Sequence, residues 1–339
     1  MRTPVGIADV AHYAPPGVMT AAQIAARTGI PEDVIVERFG LRSKHVSRAD
    51  EHVSDMCIAA AMPIVERNDP SQIDAVVYVG SHWKDYSVWQ AAPRIQHALG
   101  IEGFAMEAIN VSAGAPVGLK LVSDMLASDD RLRSVLLVGA AKESGLLDYA
   151  NARSRFMINF GDGAAAVLLR RGLQQNRVLG SSILTDGSFW DQVRVPGGGT
   201  VHPTGHDTVD AGLHFLDVRD PQEMKTRLDP ITLKRFLDVS IDALDRSGLE
   251  IGDVDLLLPI HMKRSIHRAL LLEFGLIEQQ SVYLDTHGHM SAVDPVMGLS
   301  LAGERGLLRD GTTILILAAG TGYTWAATVL RWGADGGRS

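Results

Sequence analysis

The chain contains one cysteine among 339 residues. No internal disulfide can form, and a reducing, cytoplasmic setting suits that composition. Cys57 itself lies in the apolar stretch D-M-C-I-A-A-A-M, which predicts a small buried hydrophobe rather than a nucleophile. No apolar run reaches the roughly 18 residues that a membrane-spanning helix needs, so no membrane association is expected. The opening M-R-T-P-V-G-I-A-D-V lacks the apolar core and small-residue cleavage site of a secretory signal. Positive charge is also short: 32 Lys and Arg stand against 40 Asp and Glu, a net charge of −8. Nucleic acids are bound by basic faces that displace counterions, and no nucleic-acid partner is expected here.

What is present is an ordinary enzyme composition, 46% hydrophobic, arranged twice. I-D-A-V-V-Y-V-G at Ile73–Gly80 is answered by V-D-L-L-L-P-I-H at Val254–His261. V-L-L-V-G at Val135–Gly139 is answered by I-L-I-L-A at Ile314–Ala318, and A-A-A-V-L at Ala164–Leu168 by A-A-T-V-L at Ala326–Leu330. The order is the same each time and the separation is roughly 160 to 180 residues, which implies two copies of one α/β unit. The runs are short, continuous and β-branched, as strands covered on both faces tend to be. They alternate with helical segments at Ala21–Arg27, Asp55–Glu66, Ala91–Leu99, Val117–Ala127, Ile231–Ser247 and Leu237–Gly248. The polar stretch Arg170–Arg177 is the natural seam, dividing the chain into halves 1–172 and 173–339. Asp186–Gly205 is too rich in Gly and Pro for regular structure and reads either as a surface loop or as a flap beside a pocket. The tail after Trp332 is expected to fray.

Three turns could carry chemistry. In N-V-S-A-G-A-P-V-G (Asn110–Gly118) a strand meets a helix, and Ser112 is the one nucleophilic side chain at a helix N-terminus suited to an oxyanion. A serine there can equally be an N-cap. L-L-L-P-I-H puts His261 at the end of a buried strand, where open α/β sheets place ligand groups. His267, farther along a helix, reads as a surface residue. L-D-T-H-G-H-M-S-A-V-D-P (Leu284–Pro295) sets two histidines among carboxylates. That is the material of a His–carboxylate pair or of a metal site, and without further clustered ligands a metal-free site is expected.

Taken together, these pieces resemble the ketoacyl synthase III branch of the thiolase superfamily over essentially the whole chain. The resemblance rests on R-F-G-L at Arg38–Leu41, I-D-A-V-V-Y-V-G-S at Ile73–Ser81 and I-Q-H-A-L-G at Ile95–Gly100. F-G-D-G-A-A-A at Phe160–Ala166 is its most specific part, followed by P-G-G-G-T-V-H-P at Pro196–Pro203 and G-T-G-Y-T-W at Gly320–Trp325. It implies an α/β thiolase-like fold, with duplicated βαβαβαββ halves in five α-β-α-β-α layers. It also implies a homodimer with Trp83–Ala92 near the partner's acyl pocket.

The same resemblance assigns site positions. The family cysteine falls on Ser112, five residues after Glu107, and the family asparagine falls on His289 within G-H-M-S. The backbone donor of the oxyanion hole falls on Thr321, between Gly320 and Gly322. The family histidine directly follows a proline, a place held here by Ile260, so His261 comes one residue late. The phosphate-side arginine falls on Arg38, although the tryptophan expected four residues before it is Val34.

All three condensing residues are thus exchanged, and Ser112, His289 and Asp294 make up the parts of a Ser-His-Asp relay. The relay requires His289 in the turn before the helix that carries Asp294. The resulting expectation is an acyltransferase needing no cofactor. Its substrate is an acyl-CoA or acyl-carrier-protein thioester, and its acceptor a carrier thiol or a hydroxyl such as a sugar's. The alternatives are a starter-unit condensing enzyme, a site disabled by a Cys→Ser exchange, and a non-catalytic partner subunit.

Overall fold

The computed structural model describes residues 3–334, so the tail residues 335–339 lie outside the described residues. Nine strands make the main sheet: β1 (Val5–Tyr13), β2 (Ala75–Gly80), β3 (Phe104–Glu107), β4 (Ser134–Lys142), β5 (Asp162–Arg171), β6 (Arg177–Thr185), β7 (Leu256–Pro259), β8 (Thr313–Gly320) and β9 (Thr324–Arg331). Their order across the sheet is β7-β8-β9-β6-β1-β5-β4-β2-β3. Among the described residues β1 and β6 are paired in register only at Gly6 and Arg177, so the two sides of the sheet join at a narrow seam. On one side β3-β2 and β2-β4 are parallel while β4-β5 and β5-β1 are antiparallel. On the other, β7-β8 is parallel while β8-β9 and β9-β6 are antiparallel. The counterpart of β3 has shrunk to a parallel bridge between Leu257 and Ser281. Residues 172–176, inside the seam expected from sequence, connect β5 to β6.

The strands read as unbroken apolar runs because each face is covered. Six helices do this: α1 (Val53–Arg67), α2 (Ala91–Ala98), α3 (Gly114–Ser128), α4 (Asp229–Asp245), α5 (Arg264–Glu273) and α6 (Asp294–Glu304). Val76 and Tyr78 of β2 pack outward on Met56, Ala60 and Ile95 of α1 and α2. Val77 and Val79 face inward, into a core with Leu119 and Val122 of α3 and Met297 and Leu299 of α6. Leu256 and Leu258 of β7 join that inner core, while Leu257 faces outward on Phe236, Val239 and Leu270 of α4 and α5. The period-2 alternation of strand side chains thus builds five layers, helices outside each sheet and α3 and α6 between them.

One expectation needs correction. His267 is buried, not on the surface: it shares a face of α5 with Leu270 and Leu271, the i, i+3, i+4 spacing of a core stripe. Its Nε2 lies 2.9 Å from Ser281 Oγ, and burial pushes its pKa down to about 4. Of the two readings of the Gly-rich segment 186–205, the surface loop agrees with the structure and the flap does not: the segment contributes no residue to the lining of the cavity that holds Ser112. Phe189 and Val193 anchor its base in the protein while residues 199–205 are exposed, and the cavity wall comes from the next segment, Val218 to Phe236. Among the described residues no helix is long and apolar enough to cross a membrane.

Candidate active site

The site forms where equivalent turns of the two halves meet. β3 ends at Glu107, whose carboxylate accepts from Ala91 N and pairs with Lys84. A single turn, Val111–Ala113, then leads into α3. Val111 has φ 47, a left-handed conformation that a β-branched residue adopts only under strain. The second half repeats the device. Ser291, φ 51, opens the turn Ser291–Val293 that leads into α6. Strain of this kind aims a side chain that a relaxed turn would not, and Ser112 sits at the first of these turns, 5% exposed.

His289 reaches Ser112 from the other half. Gly288 bends the chain with φ 81, and a Cβ there would lie 2.5 Å from Asn159 O. Only glycine permits that approach. It allows His289 N to donate to Asn159 O at 2.7 Å, and the imidazole stands edge-on to Phe160, 4.9 Å between ring centres. His289 Nε2 lies 2.8 Å from Ser112 Oγ, and its Nδ1 lies 2.6 Å from Asp294 Oδ2. Asp294 begins α6, so His289 stands in the turn before that helix.

A carboxylate can only accept, so Nδ1 carries the proton and Nε2 presents its lone pair to the Ser112 hydroxyl. Asp294 is fully buried and accepts two further bonds, from His261 N at 2.7 Å and Met290 N at 2.6 Å. Burial alone would lower the pKa of His289. The Asp294 charge and hydrogen bond, helped by Glu143, outweigh it and hold His289 above the usual imidazole value. A hydroxyl, a basic imidazole and an orienting carboxylate in this order can generate an oxygen nucleophile.

Gly320 closes the site from the end of β8. A Cβ on it would lie 2.8 Å from Asn110 O, 2.9 Å from Ala113 N and 3.2 Å from Ser112 N. The glycine therefore lets β8 press against the serine turn, and Thr321, the next residue, lines the same cavity as Ser112 and His289. That cavity has a volume of about 480 Å³. Its floor holds buried Ser112, His289, Asn159 and His261, its walls include Phe156, Phe160, Met224 and Phe236, and exposed Arg153, Lys225 and Lys263 stand at its mouth.

Arg38 is exposed and is not among the lining residues, although its neighbour Phe39 is. His261 is buried beside the relay. Its Nε2 faces Gly40 O at 3.0 Å and its Nδ1 faces Asn159 Nδ2 at 2.9 Å. The mouth cations and Asn159 escaped the reading of the sequence. Asn159 directly precedes F-G-D-G, and that adjacency was the available signal.

Two family descriptions match. Residues 106–187 match 3-oxoacyl-[acyl-carrier-protein (ACP)] synthase III, and residues 244–332 match the C-terminal domain of the same enzyme. The chain is 28% identical to the beta-ketoacyl-[acyl-carrier-protein] synthase III of Desulfitobacterium hafniense (strain Y51), covering 98% of this chain and 99% of that protein. The structure of 3-oxoacyl-(acyl carrier protein) synthase III from Pseudomonas aeruginosa PAO1 superposes with a TM-score of 0.84 at 24% identity, over 97% of this chain and 98% of that one. The priming beta-ketosynthase of the R1128 polyketide biosynthetic pathway does so with 0.83 at 21%, over 98% and 97%. The chain thus matches both 3-oxoacyl-[acyl-carrier-protein] synthase III domain descriptions and shares the fold of solved structures that bear that name.

Proposed function

We propose that this protein takes an acyl group onto Ser112 from a CoA or acyl-carrier thioester and passes it to a second nucleophile without condensing it. The observation that carries this reading is the buried line from Ser112 Oγ to His289 Nε2 (2.8 Å) and from His289 Nδ1 to Asp294 (2.6 Å). A serine hydroxyl needs an adjacent base, and the same exchange that removed the family asparagine supplies one. His289 takes the Ser112 proton as Oγ bonds to the thioester carbon. Backbone N–H groups of Ser112 and Thr321 stabilise the oxyanion. The C–S bond then breaks and the departing thiolate takes the proton from His289. An acceptor X–H repeats the sequence in reverse, giving its proton to His289 while X bonds to carbon and Ser112 Oγ leaves, reprotonated. The cations at the mouth suit the phosphates of CoA or of a carrier's phosphopantetheine.

The second reading is starter-unit condensation, and the comparisons favour it, since the relatives are ketoacyl synthases and one solved structure is a priming ketosynthase. His261 weighs against it. Its single proton is held on Nε2 by Gly40 O and its Nδ1 accepts from Asn159, so it offers no donor to a developing enolate. Incubation with acyl-CoA, with and without malonyl-carrier protein, separates the readings. Released CO₂ and a lengthened chain mean condensation, and an unchanged acyl group on a new acceptor means transfer. No mass gain on the chain alone would favour a non-catalytic subunit. Dimerisation through 83–92 belongs to the same proposal, supported by the exposure of Trp83, Tyr86 and Val88.

A further inference from the structure

Asn159 is fixed in place more firmly than its role in any relay requires. Its own carbonyl accepts from His289 N. The carbonyls on either side, Ile158 O and Phe160 O, accept from Lys44 Nζ at 2.9 and 2.6 Å, and Lys44 is fully buried. The orientation of its amide is also determined. Gly40 O can only accept, which puts the proton of His261 on Nε2 and leaves a lone pair on Nδ1. Burial pushes the His261 pKa down to about 4, so no second proton is present at neutral pH. Asn159 must then turn its NH₂ toward Nδ1, and its Oδ1 has no partner among the described residues. Native proteins seldom leave a buried acceptor bare. This one belongs to a residue 8% exposed that lines the cavity beside Ser112 and His289.

We propose that Asn159 Oδ1 selects the acyl acceptor by accepting a hydrogen bond from a second O–H or N–H donor adjacent to the acceptor's nucleophilic atom. The inference rests on the transfer reading above. The proton of the attacking atom goes to His289 Nε2, so it is not available to Asn159, and the acceptor must carry another. Two acceptor chemistries share this pattern: a hydroxyl beside a second hydroxyl, as on a sugar, and a thiol beside an amide N–H, as on a pantetheine arm. An amide oxygen presents no donor and so disfavours acceptors that bring only acceptor atoms to that point. Location assigns Asn159 to the acceptor rather than to the donor's phosphates, because it lies on the buried floor while the cations stand at the exposed mouth.

The test uses the full chain with acetyl-CoA and paired probes: glycerol against 1-propanol, and N-acetylcysteamine against 1-propanethiol. Wild type should favour the first member of the productive pair by roughly 10–100-fold in kcat/KM, the discrimination one satisfied buried hydrogen bond gives. The pair that turns over identifies the acceptor chemistry. In Asn159→Leu and in the smaller Asn159→Ala the ratio of kcat/KM between the two members should collapse toward one, and that ratio is unaffected by any common change in the rate of Ser112 acetylation, which intact mass follows separately. Equal use of both members by wild type overturns the proposal without any variant. So does a preference that survives in a folded variant, or loss of acetylation in a variant that melts like wild type, which would place Asn159 with the acyl donor. Absence of acetylation in wild type would instead overturn the transfer reading itself.

Discussion

Asp294→Asn probes the relay with the smallest change of shape. The carboxylate is fully buried and makes three bonds, Oδ2 to His289 Nδ1 and His261 N, Oδ1 to Met290 N. An asparagine must replace one oxygen by NH₂. If the NH₂ faces Met290, one buried N–H loses its acceptor, a cost of about 1–3 kcal/mol in stability. If it faces His289, the imidazole must move its proton to Nε2 and can no longer accept from Ser112. Either way the imidazolium formed on acylation loses its buried counter-charge. The rate of acyl-enzyme formation at its high-pH plateau should fall by about 10²–10⁴-fold, the range for losing an effective general base.

The pH profile gives an independent sign. Burial opposes the charged imidazole and the Asp294 partner raises His289 in spite of it. The base works when neutral, so the wild-type acid limb should lie above the ordinary imidazole value, about 6.5. Removing the charge leaves burial dominant and moves that limb to lower pH. Quenched-flow mass measurement of the acyl-enzyme from about pH 5 to about pH 9 reads both quantities. A plateau within about threefold of wild type, with the limb unmoved, would refute the assignment of His289 as base and Asp294 as its partner.

Other outcomes follow from the same geometry. His289→Asn should slow acylation and release alike, by about 10²–10⁴-fold, as pre-steady-state and turnover assays with one acyl-CoA would record. Gly320→Ala must displace the backbone of the Ser112 turn, since its Cβ would meet three main-chain atoms at 3.2 Å or less. A loss of about 1–3 kcal/mol in denaturant unfolding and slower acylation are expected. Lys44 is pushed down to about 7 by burial. The unfolded chain then binds the extra proton between that value and the ordinary lysine value, so the lysine's contribution to stability rises with pH across that window. Melting curves should show this rise in wild type and lack it in Lys44→Met.

The strands were legible because burial on both faces leaves no polar position to interrupt a run such as A-V-V-Y-V-G or L-L-L-P. The missing fifth strand of the second half was not, since a single bridge at Ser281 has no periodicity to read. Ser112, His289 and Asp294 could be singled out from motif positions, but their contact depends on features that motifs do not carry. Val111 is held at φ 47, Gly288 at φ 81, and two turns more than 170 residues apart meet across the seam between the halves. The spacing of His267 to Leu270 and Leu271 marks a buried face, but a polar ring in a helix gives no sign in the sequence that a partner such as Ser281 awaits it. Arg153, Lys225 and Lys263 lie on three unrelated segments, and only the folded chain shows that they share a mouth.

The proposed transfer stands or falls on Ser112 Oγ as the atom that becomes acylated, made nucleophilic by His289. Intact mass followed by peptide mapping after incubation with acetyl-CoA tests it in one step. A gain of one acetyl group is expected, located on Ser112, absent from Ser112→Ala and formed far more slowly by His289→Asn. A gain that persists in Ser112→Ala, or one that maps to another residue, would contradict it.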